Sequence, residues 1–120
     1  MTGDAFRKLA LSLEGAVEAE HMGHPDFRVR GKIFASLNFD EDQGMVKLSL
    51  GDQESIVAST PDVFVPCSGS WGKMGATHVR LAEARAATVK HAIKAAWRNI
   101  AQEPQPRKAA RMRGKPRRKR

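Results

Sequence analysis

Residues 21–37 read HMGHPDFRVRGKIFASL, and this stretch decides whether the middle of the chain is a chemical site or a pair of strands. His21 and His24 stand three apart with Asp26 close behind, in a chain of only four histidines. Metal ligands sharing a strand face stand two apart, and those sharing a helix face three or four apart. Gly23 and Pro25 oppose a regular helix, so only a loop would converge these side chains, and His78 lies far along the chain. The simpler reading is a turn shaped by Gly23 and Pro25, beside which the histidines hydrogen-bond to backbone or to one another.

Beyond that turn the residues have the pattern of strands. DFRV sets Phe27 and Val29 against Arg28 and Arg30, the period of a strand with one buried face. Gly31 marks a second turn. KIFASLNF then places Ile33, Ala35, Leu37 and Phe39 on one face, and bringing them level with Phe27 and Val29 requires a three-residue or bulged connection. On this alternation Arg28, Phe34 and Ser36 face outward. Beyond the acidic DEDQG turn, MVKLSL points Val46, Leu48 and Leu50 inward and Lys47 outward, completing a meander of three strands.

Toward the N-terminus, AVEAEHM reads as a further strand. Before it Asp4 caps a helix whose apolar positions Phe6, Leu9, Ala10 and Leu13 recur at helical spacing until Gly15 stops it. Toward the C-terminus, Ser49 and Asp52 have capping-box spacing, opening a short helix through Ile56 and Val57 that ends before Pro61. VFVP, WGKMG and THVRL read as short extended segments punctuated by glycine. From Glu83 the chain turns helical again, with Val89, Ile93, Trp97 and Ile100 as its apolar ridge and Lys90, Lys94 and Arg98 as a solvated basic one.

At 120 residues the chain has room for one domain of about 100 residues and a tail. The formal net charge of +8 is unevenly placed. Residues 1–100 hold 12 basic and 12 acidic side chains, whereas residues 101–120 hold nine basic ones against Glu103 alone. The division is therefore a neutral domain over 1–101 and a basic tail over 102–120. With three prolines and almost no large apolar residue, the tail is expected to be disordered, because it buries too little surface to offset its ordering entropy.

The lone Cys67 forms no intramolecular disulfide, which suits a reducing compartment, and no cysteine cluster builds a zinc site. The N-terminal apolar run is interrupted by charge, unlike a signal peptide, and no stretch approaches the roughly 18 apolar residues of a membrane span. A cytoplasmic protein with no membrane partner is the expectation. A monomer is favoured, although the sequence leaves the oligomeric state open.

GHPDFRVRGKIFA, then GMVKLSL, then VFVP with GSWGKMGATHVRL, and finally AAWRNIA occur in this order and at distances that resemble the MmcQ/YjbR family, over roughly residues 5–101. The resemblance implies an α+β fold of the CyaY-like type, an antiparallel β-sheet packed against N- and C-terminal helices in a single compact domain. It also implies similarity to a double-wing DNA-binding domain of a phage transcription factor. It carries over no catalytic residue. The family pattern demands no cysteine at Cys67 and usually ends soon after the last helix, so the basic extension is an addition.

The function expected from residues and resemblance together is a non-enzymatic DNA-binding protein without cofactor or metal. In the domain the candidate contacts are the cations Arg28, Arg30, Lys32, Lys47 and Lys73 and the aromatic residues Phe34 and Trp71, since an aromatic beside cations can stack a base while they hold phosphate. Trp71 has an alternative reading as a core plug. In the tail, Arg107, Lys108, Arg111, Arg113, Lys115, Arg117, Arg118, Lys119 and Arg120 would neutralise phosphates without reading base edges. The rival readings are a small-molecule or metal-binding module built on His21, His24 and the WGKMG loop, and a protein-interaction domain. WGKMG lacks the spacing of a phosphate loop, and Cys67 as a nucleophile would need a neighbouring base that only folding could bring to it.

Overall fold

The two turns of residues 21–37 are two-residue hairpin loops in the computed structural model of the chain, which describes residues 1–102. Strand β1 (Val17–His21) pairs antiparallel with β2 (His24–Val29) around Met22 and Gly23, whose φ angles are 52° and 86°. Strand β2 pairs with β3 (Lys32–Leu37) around Arg30 and Gly31, with φ angles of 56° and 79°. Left-handed backbone at both loop positions is what a tight turn needs if it is to match the twist of its strands, and glycine supplies it without steric cost.

The second hairpin carries a bulge. Its register steps from Arg28 opposite Ile33 to Phe27 opposite Ala35, so β3 has one residue more than β2 at this point. That residue interrupts the alternation, and Phe34 is turned into the core with no exposed surface. This corrects the expectation that Phe34 faces outward. The same interruption leaves Ile33 half-buried, while Phe39, beyond the end of the strand, is 77% exposed instead of inward.

Strand β4 (Gln43–Lys47) continues the meander, and its loop from β3 is organised by Asn38, whose Oδ1 accepts from the Asp42 and Gln43 amides. Strands β5 (Phe64–Pro66) and β6 (Ala76–Arg80) complete a six-stranded antiparallel sheet in the order β1-β2-β3-β4-β6-β5.

Helix α1 (Gly3–Leu11) is capped by Thr2, whose hydroxyl accepts from the Ala5 amide. Asp4, expected as the cap, lies in the first turn and pairs with Arg7, which also binds Glu18 and Glu41. Helix α2 (Leu50–Ser59) begins at Ser49 as its spacing foretold, the hydroxyl accepting from the Asp52 amide. Leu50 thereby becomes an exposed first-turn residue rather than an inward strand residue. WGKMG is not extended: it supplies the second half of a short helix, α3 (Gly69–Lys73), and the turn after it.

Helix α4 (Ala86–Ala101), preceded by a 3₁₀ turn over Leu81–Glu83, lies against β2, β3 and β4, with α1 packed on it. Val89, Ile93 and Ile100 are buried as the helical spacing requires. They meet Phe6, Phe27, Phe34, Leu37 and Val46 in one core. Each large side chain fully buried there is worth roughly 1.5–3 kcal/mol relative to exposure. The fold is α+β. Among the described residues no helix is long and apolar enough to cross a membrane. Apart from Gln102, the tail, with its expected disorder and all nine of its basic residues, lies outside the described residues.

Candidate functional site

The histidine pair follows from hairpin register. His21 is directly opposite His24, which brings the two rings edge to face with centroids 6.0 Å apart. Among the described residues no three His, Cys, Asp or Glu side chains gather in a way that would hold a metal ion. The Nδ1 atom of His24 is shielded from solvent and has no hydrogen-bond partner, so the bonding expected of it within the turn is not made.

Two residues further along β2, Asp26 is fully buried and Arg28 lies over it. The guanidinium donates from Nε to Oδ1 at 2.8 Å and from Nη2 to Oδ2 at 3.1 Å. These hydrogen bonds, and then the carboxylate's charge, raise the Arg28 pKa above its ordinary value. Arg28 thus has a structural duty that sequence reading missed: an outward position on an alternating strand gave no sign that its neighbour was buried. Part of its donor set still faces solvent, since a third of the side chain is exposed.

The other candidates are spread over one end of the sheet. Arg28, Lys32 and Lys47 line a shallow depression of about 510 Å³ together with His21, Ile33 and Ile100. Lys47 also borders a second depression of about 270 Å³, with Trp71, Met74 and Asn99. Trp71 in turn forms part of a third, a cleft of about 390 Å³. Shared residues therefore make the three hollows adjacent, a discontinuous track from Arg28 past Lys47 to Trp71. Arg30 precedes Gly31 of the first hollow, and its Nη1 donates to the carbonyl of Ala101 at 2.7 Å and so caps the end of α4. Lys73 is exposed in the last turn of α3. Phe34 is excluded by its burial.

The floor of the cleft is a cross-strand row, Ser36 opposite Met45 opposite His78, on the face of the sheet away from α4. Phe39 and His24 bound it on one side, Cys67, Ser68 and Trp71 on the other. Trp71 is 68% exposed, so it is no core plug. Its position follows from the glycines of its motif: a Cβ on Gly72 would fall on the carbonyl of Cys67, and one on Gly75 on the carbonyl of Leu48. The Gln53 side-chain amide ties the same segment down, donating to Gly72 O, Ala76 O and Thr77 Oγ1. Sequence reading singled out Trp71 and His24, named Cys67 and His78 without joining them to the two, and missed Met45. The pairing of β4 with β6 brings Met45 and His78 together, and that of β5 with β6 adds Cys67, whose amide donates to the carbonyl of Ala76.

Folding does place Cys67 in one cleft with His24 and His78. Burial pushes its thiol pKa up, however, which depletes the thiolate that a nucleophile requires.

The sequence model of the family described as YjbR matches residues 11–99. A solved structure, that of Deinococcus radiodurans protein DR2400 with its DUF419 domain, superposes with a TM-score of 0.73 at 14% identity, covering 92% of this chain and 86% of that one. At that identity the likeness concerns the fold. No curated protein matches the chain.

Proposed function

The chain belongs to the YjbR family, and from that premise we propose that it is a non-enzymatic DNA-binding protein in which tail and domain divide the work. The tail supplies electrostatic attachment. Nine Lys or Arg among residues 107–120 succeed a domain whose own charges cancel, and each phosphate they neutralise releases counterions. The domain supplies shape and base contacts along the track bearing Arg28, Lys32, Lys47 and Trp71.

The observation that carries this reading is the position of the track relative to the end of α4. Ile100, one residue before that end, lines both depressions that contain Lys47, and the basic residues of the tail begin six positions after Ala101.

The test is retention of duplex DNA by the full-length protein over a salt series. Binding is expected to weaken steeply with salt, and deletion of residues 104–120 to remove most of it together with most of the slope. Absence of retention at low salt, or a deletion that changes neither affinity nor slope, would refute the division of labour.

A further inference from the structure

We propose that the cleft between Phe39 and Trp71 takes a single unpaired nucleobase, an inference that rests on the nucleic-acid reading and gives the track its base-contacting end. The volume, about 390 Å³, is near the lower end of the roughly 300–1,000 Å³ of small-molecule sites, enough for one base and its sugar but not for a duplex. Its floor crosses three strands, and two intervals of about 4.8 Å give a width suited to a flat ring system.

The walls have the chemistry that bases select. Phe39 is 77% exposed and Trp71 68%, two large aromatic surfaces left in water on opposite sides of one hollow. Every base offers a π-face to such surfaces, whatever its sequence. Between them Met45 gives an apolar bed, while Ser36 and His78 in the same row offer hydrogen-bonding groups. His24 lines the same cleft and adds a third aromatic ring to it. Lys47, one hollow away across Trp71, is placed for the phosphate of a neighbouring nucleotide.

In a duplex the π-faces are stacked and closed to this cleft, so the preference is for single strands, or for a base that has left its helix. The decisive comparison uses the full-length protein with a 12-nucleotide thymidine strand and an abasic strand of equal length, which carries the same phosphates without bases. Tryptophan fluorescence and affinity are followed together, with thymidine monophosphate as a third arm. The base-bearing strand is expected to quench fluorescence and to bind roughly tenfold more tightly than the abasic one, the scale of one stacked base. Trp71→Ala is expected to abolish the difference and Phe39→Ala to reduce it; both residues are exposed, and circular dichroism checks that each variant is folded.

Equal binding of the two strands, or a difference that survives both substitutions, overturns the inference while leaving phosphate-driven binding intact. Retention of neither strand overturns the inference and the functional reading together. Quenching by the monophosphate at the same concentration as by the strand supports base capture and assigns it to free nucleotides.

Discussion

Arg28 holds the buried carboxylate of Asp26 by two hydrogen bonds, of 2.8 and 3.1 Å, from a side chain that is itself one-third exposed. One residue thus faces the candidate track and neutralises a charge inside the domain. Arg28→Met is expected to lower the urea midpoint, because it leaves a buried carboxylate without its partner. Combining it with Asp26→Asn is expected to recover most of the loss. Reduced DNA retention in the single variant therefore reports on the fold as well as on contact, and only in the double variant does it isolate the lost cation.

Phe34→Ala should cost about 3–5 kcal/mol of unfolding free energy, the range for emptying a fully buried phenylalanine site. Phe39→Ala, five residues on and largely exposed, should stay within about 0.5 kcal/mol. Denaturant titration of the two variants tests the bulge directly, since unbroken alternation would reverse their order.

Lys47 is exposed where two hollows meet. If it contacts a phosphate, Lys47→Gln will make the log–log salt dependence of duplex binding shallower by about 0.9. Lys90→Gln, exposed on α4, serves as the control and should leave the slope unchanged.

Cys67 should alkylate slowly at neutral pH. Burial raises its thiol pKa, so the reactive thiolate stays scarce until the pH passes above the ordinary thiol range. The iodoacetamide rate is expected to keep rising beyond pH 9. A plateau reached near pH 7 would instead reveal an activated thiolate.

Elements whose signals are local were legible in the residues. The Ser49 cap, the apolar ridge of α4 and the alternation in DFRV each arise from a few neighbouring positions and needed no knowledge of distant chain. The turns at Gly23 and Gly31 were legible for the same reason, because left-handed backbone selects glycine whatever surrounds it. WGKMG misled because both glycines resemble turn punctuation, whereas Gly72 lies inside a helix for close approach to the carbonyl of Cys67, and only Gly75, at φ 106°, serves the turn as well as the approach to Leu48.

By itself, then, the sequence determined the α+β succession of elements apart from α3, the family pattern and the separation of a neutral domain from a basic tail, since composition, periodicity and caps act over short range. The tertiary structure alone decided that Phe34 is core, that Arg28 answers a buried Asp26, and that Lys47 and Trp71 share a track with His24 and His78. A one-residue bulge turns Phe34 into the core beside Ala35, and strand pairing joins residues up to 37 positions apart, as with Gln43 opposite Arg80. The alternation called for a bulge without placing it at Phe34, and no segment's spacing gives the pairing of β4 with β6.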